Sequence, residues 1–185
     1  MSRPDFGHGV QVRIANRDQV PAIARLHALS QRTAYAELLP ADALARIDDD
    51  SWIVKWTTRV ASPGTRAVMI ATSDDGQLLG FAMATRERGR WATLNSLHVH
   101  PAAYRHGIGQ RLHDAILERA RRRWNRQWAR LFVLRDNHRA RAFYEYNGWR
   151  PTGPGDDHAI AEHPVQTVRY TRNLLLGQPT IAPGD

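Results

Sequence analysis

Cysteine is absent from the 185 residues of the chain, and its absence excludes several kinds of chemistry. Without a thiol there is no disulfide, no thiolate nucleophile and no cysteine-ligated metal. Apolar runs long enough to span a membrane or to form the core of a signal peptide are absent as well. We therefore expect a cytoplasmic protein with no membrane partner. Its length predicts a single domain over residues 10–175, with flexible ends at 1–9 and 176–185.

Lysine is almost absent too, although the chain is basic. Lys55 is the only lysine among 26 basic residues, which outnumber 18 acidic residues and give a net charge of +8. A basic surface favours nucleic acid, but this skew toward arginine is more typical of GC-rich coding. The densest group, Arg119 and 121–123, falls in the last turn of a predicted helix, where cations offset the helix dipole. We therefore expect no nucleic-acid partner.

Hydrophobic periodicity predicts alternating strands and helices. A strand at 10–14 precedes a helix that ends near Gln31, with Asn16 or Asp18 as its cap. Pro40 then starts a second helix, and a third ends before residue 62. The remaining predicted elements are strands at 66–72, 78–85 and 94–99, a helix from 108, a strand at 129–134, a helix at 138–147, a short strand from 149 and a closing strand at 165–174. Residues 151–164 are predicted to be a long loop. This order favours a mixed sheet flanked by helices.

The stretch from Trp91 to Arg122 combines a strand, a glycine-containing turn and a helix. The first amides of a helix have no partners within it, and the N-terminal end of the helix dipole attracts negative charge. Gly107 and Gly109 allow the backbone to approach a phosphate closely, and Arg105 and His106 add side-chain donors. The alternative is an ordinary loop, but the flanking strand and helix favour a phosphate site.

Two runs of this sequence resemble the signatures of one family. LHVHPAAYRHGIGQRLHDAIL resembles the acyl-CoA-binding motif of the GNAT N-acetyltransferases, although Tyr104 replaces the Arg or Gln of the first slot. LRDNHRARAFYEYNGW resembles the second signature, Asn-x-x-Ala/Arg-x-x-Phe-Tyr-x-x-x-Gly-Phe/Trp. The resemblance implies an α/β (α+β) fold with a mixed, mostly antiparallel, seven-stranded sheet flanked by helices. It also implies acetyl-CoA as co-substrate, no metal, and a possible homodimer.

By this resemblance, amides of the glycine turn hold the CoA pyrophosphate, and the backbone of a splayed fourth strand holds pantetheine and the oxyanion. Asn137 is then expected near pantetheine or phosphate, with Phe143 packed under the cofactor. The expected cofactor-binding residues are Leu97, His98, Val99, Arg105, His106, Gly107, Ile108, Gly109, Gln110, Asn137, Ala140, Phe143 and Tyr144.

Tyr144 is the expected catalytic acid, because the leaving thiolate needs a proton and a phenol with a pKa near 10 is protonated at pH 7. The alternative is that Tyr144 only packs the helix onto the sheet, with Tyr146 as an exposed neighbour. The two family signatures together favour the catalytic role.

The base that deprotonates the amine is less evident, because Thr93 stands where many relatives place a Glu. His98 and His100 are candidates, since an imidazole titrates near neutrality, and Glu37 is a third. Each histidine is alternatively a solvent-facing or a hydrogen-bonded core residue. A metal site of His98, His100 and His113 lacks a carboxylate at suitable spacing and is not expected.

The acceptor is predicted to be a small molecule with a primary amine, because no feature indicates a peptide groove. Acidic residues near the second helix, Glu37, Asp42 and 48–50, either attract a cationic amine or are solvated loop residues. The alternatives are a protein N-terminus or lysine as acceptor, and a catalytically silent acyl-CoA-binding module.

Overall fold

A seven-stranded sheet forms the centre of the part of the chain that the structure, a computed structural model, describes: residues 9–156 and 158–175. Its strands are β1 (Gln11–Ile14), β2 (Arg66–Thr72), β3 (Leu78–Arg86), β4 (Trp91–Val99), β5 (Trp128–Leu134), β6 (Arg150–Pro154) and β9 (Thr167–Asn173). They lie in the order β1-β2-β3-β4-β5-β9-β6, and β4–β5 is the parallel pair of an otherwise antiparallel sheet. The predicted fold class is therefore confirmed. The predicted flexible ends lie, apart from Gly9, outside the described residues.

Two layers of helices cover the sheet. The helices are α1 (Val20–Ala34), α2 (Ala41–Ala45), α3 (Asp49–Val60), α4 (Ile108–Trp124) and α5 (His138–Tyr146). On one face, Ile23 of α1 and Trp56 of α3 pack against Phe81 of β3. On the other face, Leu112 and Ile116 of α4 are fully buried. Each such aliphatic side chain contributes roughly 1.5–3 kcal/mol of burial free energy. None of the described helices is long and apolar enough to cross a membrane.

Asparagine caps begin two of the helical segments. The side chain of Asn16 accepts from the N–H of Asp18, and Gln19 accepts in return from the N–H of Asn16, both at 2.9 Å. This capping box starts a short 3-10 turn that leads into α1. The side chain of Asn137 accepts from the N–H of Ala140 at 3.1 Å at the start of α5. Both caps agree with the sequence prediction.

The prediction of a long loop at 151–164 is wrong. Strand β6 occupies its first part and pairs with β9. Strands β7 (His158–Ile160) and β8 (His163–Val165) form a separate hairpin over the sheet. Its two turn residues, Ala161 and Glu162, have φ of 48° and 64°, as in the type I′ turn that usually selects Asn-Gly. The tertiary structure supports this turn, since the Arg46 side chain of the α2 segment donates to the carbonyl of Ala161 at 3.1 Å.

A bulge interrupts the alternation expected along β4. Ser96 pairs with Met83 and Leu94 pairs with Ala84, so Asn95 is an extra residue between them. Because successive strand residues otherwise point to opposite faces, the bulge changes which face the later residues of β4 occupy. Strict alternation would place Leu94, Ser96, His98 and His100 on one face of the sheet, and because of the bulge they do not all share it.

Candidate active site

The parallel strands β4 and β5 separate along their length and open a cavity. Their pairing begins at Trp91 with Trp128 and ends at Thr93 with Arg130. Beyond that point β4 stays paired with β3, and β5 stays paired with β9. Residues 94–99 of β4 therefore turn one backbone edge toward a cavity of about 1170 Å³, which has room for a ligand larger than a typical drug. The predicted splay of the fourth strand is thus present.

The N-terminus of α4 opens into the same cavity. Gly107 has φ of 72° and provides no side-chain cap, and the first helical hydrogen bond runs from the N–H of Arg111 to its carbonyl at 3.0 Å. The N–H groups of the three residues between them precede that bond, as at any helix start. A β-carbon added at Gly107 would meet no atom within 4 Å. The turn therefore offers donors and open space where an anionic group is expected.

Arg139 of α5 lies over the ring of Tyr104 in the turn before α4. Its guanidinium carbon is 3.9 Å from the ring centroid, which is a close cation–π contact. Tyr104 occupies the position where the family motif has Arg or Gln. The guanidinium of Arg139 therefore lies beside a position that has no such side chain of its own. Both residues line the cavity.

Most of the residues expected in the site line this cavity. These are Glu37, Leu97, His98, Val99, Arg105, Gly107, Ile108, Gly109, Gln110, Asn137, Ala140, Phe143 and Tyr144. His100 and His106 are not among the lining residues. The Nδ1 atom of His100 instead accepts from the N–H of Ala102 at 3.2 Å and caps the turn after β4. The amide of Gln110 donates to Asn147 at 2.7 Å, so its side chain joins α4 to α5.

Tyr144 lines the cavity, and its hydroxyl has no hydrogen-bond partner among residues 9–156 and 158–175. The ring packs edge-on against Phe143 and Trp149, with centroids 5.5 and 6.0 Å away. Burial, and then the nearby Tyr35, raises the pKa of Tyr144 above its ordinary value. The raised pKa makes the phenol a weaker acid, but it also keeps the proton on Tyr144 at every working pH. The packing role and an accessible donor are both present.

His98 lies in a cluster of aromatic rings on the α1–α3 face of the sheet. Its ring stacks on Phe81, with centroids 5.0 Å apart, and its Nδ1 atom is hydrogen-bonded to the hydroxyl of Ser30. The ring of His27 is 4.4 Å from that of His98. Burial lowers the pKa of His98 to about 4, so this imidazole is neutral at pH 7.

His27 is held as a neutral imidazole by the neighbouring Trp56. The indole Nε1 of Trp56, which is only a donor, lies 3.1 Å from Nδ1 of His27. The proton of His27 is therefore on Nε2. Burial lowers the pKa of His27 well below its ordinary value. The electrostatic effect of His98 is the next largest and acts in the same direction.

A carboxylate does reach the position of Thr93, but from a different segment. The Thr93 hydroxyl donates to Glu87 at 3.0 Å and accepts from Nε of Arg130 at 3.1 Å. Glu87 in turn lies 3.9 Å from the guanidinium of Arg130. Glu87 is not among the residues that line the cavity, so this carboxylate does not replace the missing glutamate.

His113, which was considered with His98 and His100 as a metal ligand, is a core residue of the α4 layer. It is fully buried, with Nδ1 2.9 Å from Asp114 and Nε2 accepting from the indole of Trp149 at 2.9 Å. Both ring nitrogens are thus engaged in the α4 layer, as expected for a core histidine.

The sequence of residues 26–149 matches the model of the acetyltransferase (GNAT) family. An uncharacterized N-acetyltransferase of Archaeoglobus fulgidus is 32% identical over 141 residues, which cover 73% of this chain and 89% of that protein. The chain belongs to the GNAT family. A second uncharacterized N-acetyltransferase, from Bacillus subtilis, is 28% identical over 107 residues, and the match spans only 60% of that relative and 56% of this chain. The predicted resemblance, and the prediction of an acetyltransferase at the level of the family, are confirmed.

Solved structures show the same GNAT fold. The PaiA N-acetyltransferase of Thermoplasma acidophilum, solved in complex with coenzyme A, superposes with a TM-score of 0.74 at 16% identity. The match covers 89% of this chain and 99% of that protein. Identity this low supports the fold, and the residues of the site are argued from their own geometry.

Several cavity residues of this GNAT chain were not predicted as site residues. Ser30 and His27 are three positions apart on α1, and Trp52 and Arg59 are seven apart on α3, so each pair shares one helix face. That spacing was the available signal. The same spacing also fits ordinary core packing. The sequence does not show that this face of each helix meets a split in the sheet.

Proposed function

We propose that this chain transfers the acetyl group of acetyl-CoA to the primary amine of a small molecule by direct attack. One observation carries the proposal. The N-terminus of α4, the separated edge of β4 and Tyr144 all line a single cavity. These are an anion site, a row of backbone donors and a proton donor, which are the groups that thioester aminolysis requires.

Residues of α4 and α5 are proposed to hold the donor. The N–H groups that follow Gly107 bind the pyrophosphate, with Arg105 at the turn and Arg139 beside Tyr104 adding positive charge. The backbone of residues 97–99 binds pantetheine. Asn137, whose oxygen caps α5, lines the cavity between these two parts.

The chemical step is proposed to use one proton acceptor and one proton donor. Acetyl-CoA supplies an activated carbonyl carbon. As the carbon–nitrogen bond forms and the carbon–sulfur bond breaks, N–H groups of β4 donate to the carbonyl oxygen. His98 takes one proton from the amine nitrogen and Tyr144 gives one to the sulfur. Exchange with water then restores both residues.

The pKa of His98 defines when it accepts the proton. A primary amine, whose ammonium form has a pKa near 10, is about six pH units more basic than His98, a difference of roughly 8 kcal/mol. His98 is therefore expected to act after attack has begun, when the nitrogen has become acidic, and the acceptor enters as the free amine. This role requires the tautomer in which Nδ1 donates to the hydroxyl of Ser30, so that Nε2 accepts.

The shape of the acceptor side supports a small molecule. Tyr35 and Glu37, in the segment after α1, line one wall, and Ile160 of the β7–β8 hairpin lines another. Walls from two separate segments suit a compact acceptor better than an extended polypeptide. Glu37 is exposed on this wall and remains a second candidate base. Glu87 does not occupy the strand position that Thr93 holds. The missing strand glutamate favours one competing function, a silent acyl-CoA-binding module.

A pair of substitutions at Gly107 tests the donor site. Asp and Asn have the same shape and tolerate a positive φ better than most residues, and a side chain here meets open space. Calorimetry is expected to show micromolar binding of acetyl-CoA to the wild type, modest weakening in Gly107→Asn, and at least about 10-fold further weakening in Gly107→Asp, where the carboxylate opposes the phosphates.

Equal binding by the two variants would show that the pyrophosphate does not bind at this turn. No binding of acetyl-CoA by the wild type would overturn the proposal. Thiol release with a panel of primary amines then separates the enzyme from a silent module. A protein that binds acetyl-CoA and releases no thiol with any amine is the module.

A further inference from the structure

Three acidic residues near the second helix form structural contacts. Asp42 pairs with Arg46 at 2.8 Å, and Asp48 accepts from the N–H of Ser51 at 2.7 Å as the cap of α3. Asp49 lies 3.8 Å from Arg32. None of these three carboxylates lines the cavity, so they offer no site there for a cationic acceptor.

Arg59 of α3 is a half-buried cation on the cavity wall. Its guanidinium carbon lies over Trp52 and Trp56, 5.4 and 4.9 Å from the ring centroids. Within residues 9–156 and 158–175 it makes no ion pair and no hydrogen bond, so all five of its N–H donors lack a protein acceptor. Burial, and then the nearby Arg66, lowers the pKa of Arg59, and the group remains charged at neutral pH.

Ring contacts connect Arg59 to the proposed base. Trp52 lies under Arg59, and its centroid is 3.8 Å from that of His27. His27 is 4.4 Å from His98. Arg59, Trp52, His27 and His98 all line the cavity. Arg59 therefore lies on the acceptor side of the cavity, on the α1–α3 layer, whereas the anion site of α4 belongs to the opposite layer.

We infer that Arg59 binds an anionic group of the acceptor, so that the acceptor is a primary amine that also carries a carboxylate or a similar acid. This inference rests on the proposed function. A guanidinium in this setting matches a carboxylate with two parallel hydrogen bonds, and partial burial strengthens them. The same charge disfavours a polyamine, because the guanidinium would repel its further ammonium groups.

The carboxylates that line the cavity do not neutralise Arg59. Asp136 lies 3.6 Å from Arg135 on the far side of the sheet gap. Glu37 and Asp156 also line the cavity, and neither forms an ion pair with Arg59 among the described residues. An acceptor that carries both a free amine and an acid can therefore direct its amine toward His98 and its acid toward Arg59.

Amino acids and their methyl esters provide the test, because each pair differs by one negative charge. Thiol release from acetyl-CoA gives kcat/KM, corrected for the fraction of free amine. The wild type is expected to prefer the acid by about 10- to 100-fold, as for hydrogen bonds to charged groups. Arg59→Gln is expected to lose that preference through KM for the acid, with little change for the ester. Arg59→Lys retains part of it, and Lys55→Gln, which removes a charge outside the cavity, retains all of it.

Calorimetric titration of the free amino acids into CoA-saturated protein measures the same site without turnover. Binding that is present in the wild type and lost in Arg59→Gln supports the inference even if no thiol is released, in which case only the proposed function fails. Equal use of acid and ester by the wild type, a preference for polyamines, or an unchanged preference in Arg59→Gln overturns the inference and leaves the proposed function standing. If Arg59→Gln does not fold, the comparison of acid and ester in the wild type still decides.

Discussion

The two layers of the cavity differ in which groups face it. On the α4 side the turn at Gly107 presents backbone N–H groups, and the edge of β4 presents more of them. On the α1–α3 side the wall consists of side chains, including His27, Trp52 and Arg59. Every residue except proline supplies the same backbone N–H donor. The α4 side is therefore expected to tolerate most changes of sequence, except at glycine. The second side depends on residue identity, and it is where the choice of acceptor is expected to lie.

The largest effect is expected at the junction of the two sides. Tyr144→Phe removes the hydroxyl and keeps the ring contacts to Phe143 and Trp149. We expect kcat to fall by about 10²-fold or more, as for loss of a general acid, while the dissociation constant of acetyl-CoA stays within about 2-fold. Tyr146→Phe is the matched control, because Tyr146 is 69% exposed beside it. Equal rates for the two variants would leave Tyr144 with a packing role alone.

The next effect concerns the acceptor side and its pH dependence. His98→Asn is expected to lower kcat by about 10²-fold without weakening the binding of acetyl-CoA. His100 does not line the cavity, so His100→Asn is expected to change kcat little. The base works when neutral, so with a pKa of about 4 the wild type loses rate only as the pH falls toward that value. After correction for the free-amine fraction, kcat/KM is expected to be flat between about pH 5.5 and 8. An inflection near 6.5 would assign the base to an unperturbed histidine.

The smallest effect is expected on the donor side. Arg139→Ala removes the guanidinium over Tyr104, and we expect acetyl-CoA to bind about 3- to 10-fold more weakly at low salt, with KM for the acceptor unchanged. Arg123→Ala removes one positive charge from the exposed end of α4 and serves as the control. If both variants bind acetyl-CoA equally well, Arg139 does not compensate for the tyrosine in the motif.

Local signals predicted the elements that depend on neighbouring residues. Strand β2 has the bounds predicted from its apolar run, and Asn137 caps α5 as expected. The β7–β8 hairpin was missed because Ala161 and Glu162 hold positive φ in a turn without Asn or Gly. Contacts from α2 support that turn, and residues far apart in the chain make those contacts.

The candidate site divides in the same way. The glycine turn and Tyr144 were predicted because a helix start and a fixed motif are properties of a continuous stretch of chain. The bulge at Asn95, the bond between His98 and Ser30, and the position of Arg59 over Trp52 were not predicted.

The sequence by itself therefore determined the fold class and the glycine turn before α4 of this GNAT protein, because hydrophobic period, caps and glycine act over a few residues. Only the tertiary structure decided that His98 is buried and neutral, and that Arg59 has no carboxylate partner among the described residues. Desolvation and ion pairing depend on side chains that α1, α3 and β4 bring together from distant parts of the chain.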